Sequence, residues 1–170
     1  IDEKDLPLWV DVAEEVKKIR GTVSGVMLGD GVRMGMIEKM IEEKGLKEDI
    51  KLVGRTSDIY PYIDKSKILL MTSKSEGLPM VAVEAMSIQV PCVLPDVGDI
   101  SDLVTDGING RLINTRNPKD YADAVISLLK DETEYREISK EAYESIKKMA
   151  QESTHDKIVK LWNSKLKDIN

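Results

Sequence analysis

Two carboxylates, Glu76 and Glu84, lie eight positions apart in the stretch Ser73-Lys74-Ser75-Glu76-Gly77-Leu78-Pro79-Met80-Val81-Ala82-Val83-Glu84-Ala85-Met86. The apolar run Ile68-Leu69-Leu70-Met71 precedes them and reads as a buried strand; a polar turn follows. Pro79 falls where a first helical residue belongs, because the N–H it lacks would go unpaired there. Val81 to Ile88 continue as an apolar helix. Strand, tight loop and helix in that order turn free N–H groups of the helix N-terminus toward an anion, and Gly77 lets a ligand approach the backbone. Glu76 has two readings, a partner for the helix start or a ligand contact. Glu84 is either an ordinary exposed helix residue or, among Val81, Ala82, Val83, Ala85 and Met86, a charge that needs a partner. A ligand and a structural ion pair would each supply one.

Other reactive side chains point to less. Gly29-Asp30-Gly31 opens like a dinucleotide fingerprint, but Met34 stands where the third glycine belongs and Gly35 comes one position late, so a strand-to-helix turn explains it. His155 is the only histidine; with no second histidine or ligand cluster beside it, it reads as a helix surface residue and no metal is expected. Cys92 is the single cysteine, which excludes an intramolecular disulfide and a cysteine-rich zinc site. Its setting, Val90 to Leu94, reads as core.

The elements that must position these residues follow from apolar periodicity and turn residues. Helices are expected over Leu6–Arg20, closed by Gly21, and over Met34–Lys44, closed by Gly45. Strands are expected at Gly25–Leu28, Ile50–Gly54, Ile68–Met71, Val90–Leu94 and Arg111–Ile113. Ile59–Lys65 is at most a short helix, interrupted by Pro61. Ile100–Val104 is a short helix, and three helical stretches close the chain at Tyr121–Lys130, Thr133–Met149 and Thr154–Lys167. Trp162 with Ile158, Leu161 and Leu166 reads as a packing face. Five strands alternating with helices imply one α/β domain with a Rossmann-like parallel sheet and helices on both faces, and unbroken apolar strands fit such cover.

A chain of 170 residues, 41% hydrophobic and 33% charged, suits a single domain over residues 1–170 with a sizeable core. Its net charge of −6 disfavours a nucleic-acid partner. No apolar run is long enough for a transmembrane helix and no signal peptide is visible, so a cytoplasmic location is expected.

Glu76-Gly77-Leu78-Pro79 followed by Glu84-Ala85-Met86 resembles the EGLP…EAM signature of retaining glycosyltransferases of family 4, the glycosyl transferases group 1. The similarity runs from Lys4 to about Ile113. It implies one half of a GT-B fold, the C-terminal domain that binds the nucleoside diphosphate sugar donor, with an N-terminal acceptor domain and one strand ahead of Ile1 lying outside this sequence. The implied activity is sugar transfer with retention, without cofactor or metal, and the isolated domain is expected to be inactive. Glu84 would bind the ribose, and Gly77 and the N–H groups of Leu78, Met80 and Val81 would face the diphosphate or sugar. Glu76 would contact the transferred sugar. Ile1-Asp2-Glu3-Lys4-Asp5 resembles the end of the family's basic motif, so Lys4 would neutralise the leaving diphosphate, while the matching arginine would precede Ile1.

Val53-Gly54-Arg55 resembles the loop that holds the nucleobase; Arg55 would stack on the base, reach a phosphate or stay solvated. Asp96-Val97-Gly98-Asp99 resembles a glycine-pair turn with Asp99 in place of the second glycine, which argues against a close backbone approach there. Gly107-Ile108-Asn109-Gly110 resembles a structural turn of the family. The resemblance leaves base, sugar and acceptor unidentified and is compatible with peripheral membrane association of the full-length enzyme. A related GT-B epimerase or phosphorylase, or a non-catalytic Rossmann-like nucleotide-binding module, would share much of the pattern.

Overall fold

The computed structural model describes residues 2–31 and 33–167, with Asp2 and 152–167 as backbone alone. A 3-10 turn at Asp2–Lys4 leads into α1 (Leu6–Arg20). There follow β1 (Gly25–Leu28), α2 (Met34–Glu43), β2 (Ile50–Gly54), α3 (Tyr60–Asp64), β3 (Leu69–Leu70), α4 (Met80–Ser87) and β4 (Cys92–Pro95). The chain closes with α5 (Ile100–Leu103), β5 (Arg111–Ile113), α6 (Pro118–Lys130) and α7 (Glu132–Lys167).

All strand pairs are parallel, but the single sheet expected from the sequence is split in two among the described residues. β1 pairs with β2, and β3, β4 and β5 form a second sheet in that order. The N–H groups of Gly25 and Gly29 donate to the carbonyls of Asp49, just before β2, and Gly54, and those of Leu69 and Met71 to the carbonyls of Pro91, just before β4, and Val93. Backbone alternation turns the intervening groups of β1 and β3 away from these partners. Helix α1 spans the break. Its Leu8, Val12 and Val16 pack with Val93, Ile68 and Leu70 of the three-stranded sheet, while Val10 and Ala13 pack with Met27 and Ile37.

β4 shows why the fold needs cover on both faces. Val93 points into the core made with α1 and α6, whereas Cys92 and Leu94 point into the core that holds Ala82, Ala85, Met86, Ile100 and Ala142. Every residue of β4 is buried. Alternation of period two sends neighbours to opposite faces, and each fully buried aliphatic side chain contributes about 1.5–3 kcal/mol. β1 departs from the expected cover, since Val26 is 39% exposed.

Several element boundaries differ from expectation. Pro61 does not interrupt α3 but lies in its first turn, where its missing N–H breaks no helical bond. Pro79 is not the first helical residue; it is the N-cap of α4, with extended ψ of 104°, and its carbonyl accepts the N–H groups of Ala82 and Val83. α6 begins earlier than Tyr121. Asn117 caps it by accepting from the Lys119 N–H at 3.1 Å, and Pro118 lies in the first turn. The last two helical stretches form one helix, α7, because Ala150-Gln151-Glu152-Ser153 contains no glycine or proline to end it. The side chains of His155 and of the Trp162 face lie outside the described residues.

Candidate functional site

The loop after β3 is polar but buried at its start. Thr72 and Ser73 are almost fully covered, so their hydrogen-bonding groups need partners inside the protein. The N-terminal segment supplies the partners of Thr72 and Lys74, and Arg116 takes the Ser73 carbonyl. The Thr72 hydroxyl donates to the carbonyls of Lys4 and Asp5 at 3.2 and 3.0 Å, and the Lys74 N–H donates to the Glu3 carbonyl at 2.6 Å. This stitching carries Lys4 to the loop that ends in Glu76. Their charged tips meet, Lys4 Nζ to Glu76 Oε1, at 2.6 Å. The Glu76 side chain is 11% exposed and that of Lys4 62%. The carboxylate is thus held in a recess while the ammonium reaches it from solvent. An ion pair with one partner so exposed contributes about 0–1 kcal/mol, leaving Lys4 able to exchange this carboxylate for another anion at little cost.

The carbonyl end of Glu76 is fixed as tightly. Gly98, at φ 57°, lies in the turn after β4, and a Cβ there would overlap the Glu76 carbonyl oxygen and stand 3.0 Å from its carbonyl carbon. The first glycine of the turn thus makes a close approach within the chain, to the Glu76 backbone.

Beyond Glu76 the chain turns into α4. Pro79 offers no side-chain cap, and the N–H groups of Met80 and Val81 find no acceptor among the described residues. These are the orphan donors of a helix start. Leu78 and Met80 are 49% and 60% exposed around them. Glu84 stands four residues after Met80, on the same side of the helix. It is exposed, and its carboxylate makes no hydrogen bond or ion pair with a described residue. Its charge is solvated, so the burial cost inferred from its apolar neighbours does not arise: Ala82, Ala85 and Met86 face inward instead.

The family model of glycosyl transferases group 1 matches residues 1–145. The chain belongs to this family. It is 32% identical over 166 residues to the poly(ribitol-phosphate) alpha-N-acetylglucosaminyltransferase of Staphylococcus aureus, covering 96% of this chain and 34% of that one. A TarM variant from S. aureus, crystallised with Fondaparinux, alpha-GlcNAc-glycerol and UDP, superposes with a TM-score of 0.85 at 32% identity, over 96% of this chain and 34% of that one. The C-terminal domain of a glycosyl transferase group 1 protein (LpcC) from Francisella tularensis shares the fold at a TM-score of 0.78 and 20% identity, over 87% of this chain and 80% of that domain. The chain thus spans about a third of the curated relative it matches and corresponds to the C-terminal half of a GT-B glycosyltransferase.

Within this glycosyl transferases group 1 domain, Lys4 and Glu76 are brought into contact, and Gly77, Leu78, Met80, Val81 and Glu84 surround the same helix start. Arg55 is not joined to them; it is exposed after β2 and makes no hydrogen bond or ion pair with a described residue. Gly29 closes β1 onto β2, its N–H donating to the Gly54 carbonyl at 2.7 Å, which accounts for both glycines structurally. Asn109 is structural as well, accepting from the Thr105 N–H and donating to the Leu103 carbonyl and the Ser145 hydroxyl. Cys92 is buried, and burial pushes its thiol up to about 12.

Sequence reasoning missed Asp5 and Arg116. The Arg116 guanidinium donates to the Thr72 and Ser73 carbonyls and to the Asp5 carboxylate. Asp5 and Arg116 are 111 positions apart, and neither belongs to the EGLP…EAM signature, so no local pattern marks the pair.

Proposed function

We propose that this chain is the donor-binding domain of a retaining glycosyltransferase, which moves a sugar from a nucleoside diphosphate sugar to an acceptor. The observation that carries this reading is the Lys4–Glu76 contact beside the open N-terminus of α4, a cation, a carboxylate and orphan N–H donors gathered at one place. Glu84 takes the ribose hydroxyls with its carboxylate. The N–H groups of Leu78, Met80 and Val81 take the diphosphate, and Gly77 lets it come close to the backbone. Glu76 contacts the transferred sugar, Lys4 leaves Glu76 for the diphosphate, and Arg55 reaches toward the base.

In the reaction, the bond between the sugar's anomeric carbon and the diphosphate oxygen breaks, and its electron pair stays on that oxygen. The acceptor hydroxyl oxygen bonds to the anomeric carbon from the same face and passes its proton to the departing diphosphate oxygen. Negative charge builds on the diphosphate, where Lys4 and the helix N–H groups stabilise it more in the transition state than in the bound donor. Glu76 takes no covalent part.

The UDP bound to the TarM variant makes uridine diphosphate the first donor nucleotide to test. An acceptor domain outside this sequence would complete the enzyme, so the chain alone is expected to bind nucleotide without turnover. The break between β1 and β3 would take a further parallel strand. No helix among the described residues is long and apolar enough to cross a membrane; a cytoplasmic enzyme, associated with a membrane at most peripherally, remains the proposal.

Calorimetric titration with uridine, guanosine, adenosine and thymidine diphosphates tests the reading. Saturable binding of one of them is expected. Binding of none, or robust sugar transfer by the 170-residue chain alone, would overturn it.

A further inference from the structure

Asp5 has an unusual backbone. Its φ of 43° and ψ of 55° are left-handed, and only one other described non-glycine residue, Gln89, has a positive φ. Aspartate tolerates this region better than most residues but does not favour it. As the N-cap of α1, Asp5 would ordinarily turn its carboxylate onto the helix N–H groups. It makes no such bond. The carboxylate goes to Nη2 of Arg116, and Lys74 Nζ stands farther off at 3.9 Å.

Arg116 lies between β5 and α6 and uses the rest of its guanidinium on the opposite segment. Nη1 donates to the Ser73 carbonyl at 2.9 Å, and Nη2 also donates to the Thr72 carbonyl. One planar fork therefore joins the residue after Lys4 to the buried stretch that leads to Glu76. Lysine carries its three donors on one nitrogen and lacks this planar fork of two nitrogens, so it cannot reach the three acceptors with the same geometry.

We propose that Arg116 is a positioning residue that holds Lys4 against Glu76 by clamping Asp5 in its left-handed conformation. The proposal rests on the reading of Lys4 as the diphosphate-facing cation. Without the clamp, Asp5 relaxes toward negative φ. That rotation is applied at the residue adjoining Lys4, so the lysine swings off the recess while the α4 N-terminus and Glu84 stay in place.

The test compares wild type with Arg116→Lys, Asp5→Gly and the Arg116→Lys/Asp5→Gly double variant. Glycine adopts φ 43° unaided, so the double variant should recover what Arg116→Lys loses. The first readout needs no ligand: the nuclear Overhauser contact between the Lys4 and Glu76 side chains. It should disappear in Arg116→Lys and return in the double variant. Its persistence in Arg116→Lys overturns the inference whatever the site binds. Should Arg116→Lys not fold, Asp5→Asn, which keeps the side chain's shape and removes the charge that Arg116 holds, is read in the same way.

The second readout is affinity for uridine diphosphate and for uridine. Arg116→Lys should weaken the diphosphate about tenfold, the loss of one charge-assisted hydrogen bond, and leave uridine unchanged. In a Lys4→Ala background it should do nothing more, because an effect exerted through Lys4 vanishes with Lys4. Equal loss for both ligands, or losses that multiply with Lys4→Ala, would show a general structural role and overturn the inference. If Lys4→Ala leaves diphosphate affinity intact while the Overhauser contact behaves as stated, Arg116 still positions Lys4 and it is the role given to Lys4 that fails.

Discussion

Lys4 and Glu76 are 72 positions apart in the chain and 2.6 Å apart at their charged atoms. The lysine side chain is largely exposed and the carboxylate is not, so the pair is asymmetric: removing the carboxylate alters a recess, and removing the lysine alters only its mouth. Glu76→Gln should leave affinity for a bare nucleoside diphosphate nearly unchanged and selectively weaken the sugar-bearing donor. If Glu76 served only the helix start, the same change would cost about 0.3–1 kcal/mol of stability and affect both ligands alike. Measuring both affinities and the unfolding midpoint on one variant decides between them.

Glu84 is exposed and unpaired among the described residues, so its carboxylate does little for the fold. Glu84→Gln is expected to keep the unfolding midpoint and to weaken nucleoside diphosphate binding by roughly 1–3 kcal/mol, the range for a hydrogen bond to a charged group. Calorimetry on the two proteins checks this; an unchanged dissociation constant would remove Glu84 from the site.

Gly98 has both a left-handed φ and a neighbour where its Cβ would be. The neighbour is backbone, the carbonyl of Glu76, and cannot rotate aside. Gly98→Ala should therefore cost more than about 1 kcal/mol, beyond the usual glycine-to-alanine effect at a compatible site, and should displace Glu76. A chemical denaturation curve gives the first quantity. A lowered preference for nucleotide sugar over bare nucleotide reports the second. Wild-type stability would mean that the turn after β4 yields freely.

Cys92 supplies a pH prediction. Burial raises its thiol from 9.0 to about 12 in the folded chain, so the unfolded chain loses the proton first as pH rises. The stability linked to this thiol is whole below about pH 9 and falls between pH 9 and 12, by up to about 1.4 kcal/mol per pH unit. The unfolding midpoint of Cys92→Ala, corrected for its lost packing, should depend less on pH in that window than that of wild type. A thiol reagent at pH 8 should label Cys92 only on unfolding; fast labelling of the folded chain would contradict its burial.

The sequence alone determined what depends on near neighbours. Apolar runs of strand length, glycine stops and the polar turn before Pro79 placed five strands and the helix that carries Glu84, because side-chain periodicity is a local property. It also marked Glu76, Gly77, Leu78, Met80, Val81 and Glu84 as one unit, since they are contiguous. Small boundary errors at Pro61, Pro79 and Pro118 arose because a proline fits the first turn, the cap or the end of a helix, and ψ, which the ring leaves free, decides among them. Only the tertiary structure decided the rest. Whether Glu84 is buried depends on which side of α4 faces the core, and that is set by packing on β4. Lys4 meets Glu76 because Thr72 is buried and takes its partners from the segment before α1, while Arg116 holds the Ser73 carbonyl. The Asp5–Arg116 clamp joins residues 111 positions apart. Such a contact forms only when the fold brings distant parts of the chain together, so nothing in the residues beside either one announces it.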